Sequence, residues 1–285
     1  TIKWVIDQGQ AQAIETVYIP EKSRRTLCVS SQIGCLIDCP FCATGHQGFN
    51  RNLSSAEIIG QVLLAKQALR QELNQDHSIT NIVFMGMGEP LANFSETIKA
   101  IKILTDPNGF NLSRRRVTIS TSGLVPQIMK LADYVNVSLA ISLHAPFNKL
   151  RDELVPINRR HPIEALLDAC WFYAKHGRLK TVTFEYTLLK GVNDQPGHAR
   201  QLCKLLKDRP AKVNLIPFNP FPGVAYQPTP VYQINEFRNI LLESGIMTMT
   251  RTTRGDDIKA ACGQLSGMVN NLAKQSLGQK LKTIN

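Results

Sequence analysis

The apolar positions of this chain follow two periods in turn. Short runs rich in Val, Ile, Thr, Phe and Tyr predict strands over 15–19, 26–30, 81–85, 116–120, 135–143, 181–188, 212–217 and 246–250. Between several of them the apolar residues recur at helical spacing. They predict helices over 54–74, 95–104, 124–132, 162–176, 197–207 and 231–244. Ser54 stands three residues before Glu57, the spacing of a capping box, and Pro162 suits the first turn of the helix it precedes. Strand–helix alternation of this kind predicts an α/β fold, a parallel sheet covered by helices. The first two strands are separated only by PEKSRR (20–25) and read as a hairpin-like entry. Cys170 and Cys203 fall on apolar positions of helical runs and read as core residues.

Polar residues interrupt this pattern at the ends of strands. GMGEP (86–90) follows one strand, STSG (120–123) the next, SLH (142–144) ends a third and Asn219-Pro220 follows a fourth. In parallel barrels the active site gathers at the carboxyl ends of the strands. The chain has 285 residues, 43% hydrophobic and 19% charged, an ordinary globular composition. No apolar run is long enough for a membrane span, so no membrane partner is expected. The chain opens Thr1-Ile2-Lys3 without Met, so upstream sequence is expected. Thirty-three Lys and Arg face 22 Asp and Glu, leaving +11, which favours a polyanionic partner such as nucleic acid. The candidates for phosphate contact are Arg24, Arg25, Arg51, Arg114, Arg115 and Arg116; for any single one, ion pairing within the fold is the equal alternative.

Seven cysteines make an odd count in a chain of this length, which argues against a secreted disulfide framework and for a reducing cytoplasmic setting. Three of them, Cys35, Cys39 and Cys42, have the spacing C-x3-C-x2-C, with Phe41 before the last. A structural zinc site closes four ligands, and only Cys28, in a strand-like run, offers a fourth. A cubane iron–sulfur cluster takes one thiolate per iron, so three thiolates leave one iron open. An open iron can bind the amino and carboxylate groups of S-adenosylmethionine and deliver an electron to its sulfonium. The three-cysteine spacing resembles that of the radical S-adenosylmethionine superfamily. This resemblance implies a 4Fe–4S cluster, S-adenosylmethionine and a partial (β/α)6 TIM-like barrel.

The segments SSQIGC, GFNRNLS, GMGEPLAN, STSG, SLHAP and RGDDIKAACGQ are similar to one branch of that superfamily, the RlmN/Cfr family of RNA adenine methyltransferases, over about residues 10–270. The family resemblance implies an N-terminal β extension over 1–30 after an upstream accessory domain, a barrel core over 31–250 and a C-terminal helical segment over 251–285. It implies that Cys262 carries the methyl group, with two S-adenosylmethionine molecules consumed per turnover. It implies further that Cys28 resolves the intermediate and forms a disulfide with Cys262, and that Glu15 accepts the ring proton. On residue grounds alone, a single Glu opening a strand reads as an exposed charge. Gly88, Glu89, Ser120, Ser142, Leu143, His144 and Asn219 match cofactor contacts. The implied substrates are adenosines in 23S rRNA and beside the tRNA anticodon, with an electron donor such as flavodoxin and a monomeric enzyme. Gly88-Glu89-Pro90 and RGDDIKAACGQ favour carbon 2 of adenine over carbon 8, the Cfr alternative. A metal-stabilised RNA-binding module without turnover is the alternative from a different class.

Overall fold

The computed structural model describes residues 1–73, 79–177, 179–251 and 263–267. The elements in chain order are β1 (Ile2–Asp7), β2 (Ala13–Pro20), β3 (Arg25–Cys28), β4 (Gln32–Gly34), α1 (Ala43–His46), β5 (Phe49–Asn52) and α2 (Ser55–Leu73). There follow β6 (Asn81–Phe84), α3 (Phe94–Thr105), β7 (Val117–Thr121), α4 (Val125–Tyr134), β8 (Ser138–Ser142), α5 (Asn148–Leu154) and α6 (Ile163–His176). The last are β9 (Val182–Leu188), α7 (Pro196–Leu206), β10 (Ala211–Pro217), α8 (Val231–Glu243) and β11 (Met247–Thr250).

Nine strands form one open sheet in the order β1-β2-β3-β6-β7-β8-β9-β10-β11. From β3 onward every neighbour is parallel, while β1, β2 and β3 pair antiparallel. Helices α2, α3, α4, α6, α7 and α8 lie between successive parallel strands, which gives the six expected strand–helix units. A seventh parallel strand, β11, follows them. Strands β2, β6, β8 and β9 are buried along most of their length, as strands covered on both faces must be. The main apolar core lies between the sheet and these helices. A smaller one, built on Phe41, Ala145, Leu154, Val155, Leu189 and Phe218, sits at the carboxyl ends of the strands.

The helix starts follow the local chemistry. Glu57 N–H donates to Ser54 Oγ at 3.2 Å, and Ser54 N–H donates to Glu57 Oε2 at 2.7 Å, so the capping box of α2 is closed. Pro162 occupies the N-cap of α6, and Pro196 opens α7. The expected strand over 135–143 shortens to Ser138–Ser142, because Val135 caps α4 and Leu143 lies past the strand. Periodicity did not announce β1, β4, β5 or α5. Strand β1 is a half-buried edge, and the other three, of three, four and seven residues, repeat a period too few times to stand out. The helix expected after residue 251 lies outside the described residues. Among the described residues, no helix is long and apolar enough to cross a membrane.

Candidate active site

Strands β4 and β5 form an antiparallel ribbon that holds the cysteine loop by both ends. Cys35 N–H donates to Gly48 O at 2.8 Å, and Cys42 N–H donates to Cys39 O at 3.1 Å. Asp38 takes a left-handed φ of 60° within the loop. Phe41 is buried, and its ring meets the His144 ring edge-on with centroids 4.8 Å apart. The aromatic before the last cysteine thus pins the loop to the end of β8. The three cysteines then line one wall of a cavity of about 160 Å³.

Burial pushes the Cys35 thiol up to about 12, and the nearby Cys42 sulfur adds to the rise. Cys39 is raised well above its ordinary value by burial and by the Cys42 and Cys35 sulfurs, while the Arg151 charge pulls it down. Three thiolates held this close, each only partly exposed, are costly together unless a metal joins them, and binding iron displaces their protons. Among the described residues no three His, Cys, Asp or Glu side chains converge on one ion. Three thiolates suit a cubane, with one thiolate per iron, better than a structural zinc, which closes four protein ligands.

Another part of the lining comes from the loop after β6. Gly88 has φ +95°, and a Cβ there would collide with the Gln32 side chain. At Gly86 a Cβ would lie 2.7 Å from Ser30 Oγ and the Val29 carbonyl. Both glycines let this loop press against the segment after β3. Glu89 follows, 3% exposed. Its Oε2 accepts the Ser122 N–H and hydroxyl, each at 2.7 Å, and its Oε1 accepts Leu91 N–H at 3.0 Å. Burial raises its pKa, and these hydrogen bonds oppose the rise. Glu89 takes part in none of the ion pairs among the described residues. A buried carboxylate without a cation is chemically suited to an ammonium group brought by a ligand.

His144 also has left-handed backbone, φ 57°. Its Nδ1 accepts Thr187 N–H at 3.0 Å, which leaves the proton on Nε2. Burial, helped by the Arg151 charge, lowers its pKa to about 3, so it is a neutral donor. Arg151 is fully buried on α5. It donates Nε to Leu143 O at 3.0 Å, Nη1 to Asn158 Oδ1 at 2.9 Å, and Nη2 to Ser122 O at 2.6 Å and Ser142 O at 3.0 Å. One guanidinium therefore ties together the carboxyl ends of β7 and β8.

Residues 29–203 match the radical SAM superfamily. The dual-specificity RNA methyltransferase RlmN of Pseudomonas putida (strain W619) is 54% identical over 278 residues, spanning 97% of this chain and 73% of that protein. The same figures hold for RlmN of Pseudomonas putida (strain GB-1). The chain belongs to the RlmN family of the radical SAM superfamily. Superfamily membership implies a 4Fe–4S cluster and S-adenosylmethionine. A radical SAM methyltransferase from Sphaerobacter thermophilus superposes with a TM-score of 0.88 at 46% identity, covering 92% of this chain and 76% of that one. Streptococcus suis SuiB bound to S-adenosylmethionine shares the fold at 13% identity, with a TM-score of 0.58 over 80% of this chain and 50% of that one.

Within this RlmN-family chain, Gly88, Glu89, Ser120, Ser142 and His144 join the three cysteines around the cavity. Leu143 is buried beside it, with its N–H on Glu185 O at 3.1 Å. Asn219 is buried on the loop after β10, and neither it nor Leu143 is among the lining residues. Cys28 ends β3, and its carbonyl accepts the Thr16 hydroxyl at 2.6 Å. It is not among the lining residues, so it does not complete a four-thiol set. Glu15 is 5% exposed rather than the surface charge its isolated context implied, because β1 covers β2 on one side and β3 flanks it on the other. Its Oε1 receives Lys3 Nζ at 2.9 Å and its Oε2 receives Ser266 N–H at 3.1 Å.

Cys262 lies outside the described residues, but the segment after it does not. Gly263 O accepts Ala43 N–H at 2.8 Å, Leu265 O accepts the Thr44 hydroxyl at 2.6 Å, and Gly263 and Leu265 line the cavity. The expected Cys28–Cys262 disulfide involves a residue outside the described ones; among the described cysteines none is joined to another. Cys170 is a core residue, and Cys203 packs against the core as expected. Most of the arginines proposed for phosphate contact face elsewhere. Arg24 and Arg25 sit at the start of β3 and Arg114–Arg116 at the start of β7, the amino ends of strands whose carboxyl ends lead to the cavity. Arg51 is nearer the cysteine loop but is paired with Glu57 at 2.7 Å. Sequence reasoning passed over Arg151, Glu185 and Thr187, and read Arg251 only as part of a basic cluster. Each sits in or beside an apolar run, and only the fold turns it toward the site.

Proposed function

We propose that this chain methylates carbon 2 of adenosine in RNA, acting on 23S ribosomal RNA at the peptidyl transferase centre and on transfer RNA at the adenosine 3′ of the anticodon. The observation that carries this reading is 54% identity to RlmN enzymes across 97% of the chain. Cys35, Cys39 and Cys42 would hold a 4Fe–4S cluster, which would supply the electron needed to cleave S-adenosylmethionine. Glu89 accepts the ammonium of the ligand, and Ser120, Ser142 and neutral His144 offer hydrogen bonds along the cavity wall. Cys262 takes a methyl group by displacement from a first S-adenosylmethionine, which makes the count two per turnover. Glu15 receives the proton that leaves the ring carbon, and the thiol of Cys28 frees the methylated product. The adenosine must leave its stack to reach them, which single-stranded loops allow.

Residues 1–30, 31–250 and 251–285 serve in this reading as β extension, barrel core and methyl-carrier segment. A cytoplasmic monomer with a flavodoxin-type electron donor completes it. The test is mass spectrometry of 23S rRNA and tRNA from cells with and without the gene. Loss of 2-methyladenosine on deletion is the expected result. Loss of 8-methyladenosine, or no change, would refute the assignment.

A further inference from the structure

The ion pair between Lys3 and Glu15 has no part in the reactions above. Lys3 Nζ lies 2.9 Å from Glu15 Oε1, with the two side chains only 17% and 6% exposed. The sheet register brings them together. Lys3 is paired with Val17 across β1 and β2, and Val17 with Cys28 across β2 and β3. Residues opposite one another in neighbouring strands share a face, and so do residues two apart on one strand. Lys3, Val17 and Cys28 therefore form a row on one face, and Glu15, two residues before Val17, stands on that face beside it. Lys3 reaches Glu15 along the diagonal, a span suited to a long side chain. The proton acceptor and the resolving thiol of the proposed reaction thus share a face with this ammonium.

The other carboxylate oxygen is held from the far end of the chain. Ser266 N–H donates to Glu15 Oε2 at 3.1 Å, and Ser266 follows Cys262 by four residues. Its neighbours Gly263 and Leu265 line the cavity and are tied to α1 through Ala43 N–H and the Thr44 hydroxyl. Gly267 lets the segment lie against β2, since a Cβ there would collide with the Ala13 carbonyl. Each oxygen of Glu15 therefore has one donor, an ammonium from β1 on Oε1 and a backbone N–H from the methyl-carrier segment on Oε2. A carboxylate has about four lone-pair sites, so these two donors leave it able to take a proton. A buried carboxylate without a cation is costly and turns toward whatever donor it can find, and Lys3 removes that tendency.

We propose that Lys3 is a positioning residue for the methylation step, fixing Glu15 Oε1 so that Oε2 is presented to the methyl-carrier segment, where the ring carbon gives up its proton. The proposal rests on the reading of Glu15 as the proton acceptor. It makes that acceptor a composite of β1, β2 and the segment after Cys262. Lys3 itself touches neither substrate nor cofactor and acts through Glu15.

The test uses the full chain with its cluster reconstituted anaerobically, S-adenosylmethionine, and a short RNA bearing the target adenosine. 5′-Deoxyadenosine and methylated RNA are counted in the same reaction. Lys3→Met removes the donor and keeps most of the side-chain length. It should form 5′-deoxyadenosine at the parent rate, while methylated RNA per 5′-deoxyadenosine falls about tenfold, less than the loss of a whole general base. Deuterium at carbon 2 of the target adenosine should slow this variant more than the parent, because loss of that hydrogen becomes the slow step. Lys3→Arg keeps the charge and should recover most of the yield. In the cluster-free protein, urea denaturation of Lys3→Met, Glu15→Gln and the double variant should give losses that do not add, as for a direct pair. Additive losses overturn the proposal, as does a Lys3→Met protein with the parent's yield and isotope effect. An equal fall in 5′-deoxyadenosine and product overturns it in favour of a structural role, and weaker RNA binding with an unchanged isotope effect in favour of an RNA contact. Glu15→Gln separates the two levels. If it methylates as the parent does, the reading of Glu15 itself fails; if it is inactive while Lys3→Met matches the parent, only the role of Lys3 fails.

Discussion

His144 combines three properties that rarely meet: left-handed backbone, full burial and an aromatic contact with the cysteine loop. Each has a consequence for stability. The folded protein keeps the ring neutral down to about pH 3, whereas the unfolded chain protonates it near 6.5. Between those values the unfolded state binds more protons, so this contribution to stability rises with pH through the window and is level above it. The local slope is about 1.4 kcal/mol per pH unit at most. Asparagine tolerates the left-handed backbone and does not titrate. Urea denaturation of His144→Asn across pH 4 to 7 should therefore show a shallower loss of stability on acidification than the parent. An identical slope would mean that another group carries the acid sensitivity.

Several functional side chains stand at or just past the ends of strands, and Arg151 shows how such ends are held. A short helix, α5, places one cation against three backbone carbonyls at the ends of β7 and β8. Without it the Ser122 and Ser142 carbonyls would lose this donor, Leu143 O would keep only the Ala145 N–H at 2.8 Å, and the loops bearing these residues would lose their common anchor. Arg151→Met keeps the length and removes every donor. It is expected to lower the unfolding free energy by about 3–5 kcal/mol, the range for breaking a buried hydrogen-bond network. Chemical denaturation measures it, and a loss under about 1 kcal/mol would show that the carbonyls find other partners. The cap of α2 is a contrasting case, since Ser54 and Glu57 close their box locally and needed only the sequence to be seen.

At the scale of the whole molecule, the parallel sheet gives the protein two unlike ends. The carboxyl ends hold the cysteines, Glu89, His144 and the segment after Cys262, while Arg24, Arg25 and Arg114–Arg116 gather at the amino ends. A strand of five residues spans about 17 Å, so these arginines are not side by side with the reacting atoms. Replacing Arg114 and Arg115 together by Ala should change the affinity for a short RNA bearing the target adenosine by less than about twofold. The salt dependence of binding should be unchanged, because a phosphate contact removed would lower its slope by about one per contact. A reduced slope in a binding titration would show that RNA reaches round to the far end.

Local chemistry made much of this protein legible. Alternation of strand and helix periods, the box at Ser54 and the spacing of Cys35, Cys39 and Cys42 are properties of neighbouring residues, so the sequence by itself determined them. The family, too, follows from contiguous segments. The tertiary structure alone decided which way side chains face and which distant ones meet. Glu15 looks exposed until β1 and β3 flank its strand, and Glu185 looks like a strand residue until the register sets it beside Asn214 in the cavity. The basic run at 114–116 looks like a phosphate clamp until the direction of β7 puts it at the opposite end from the cavity. Burial, facing and strand direction arise from pairings between residues far apart in sequence, and no local pattern encodes them.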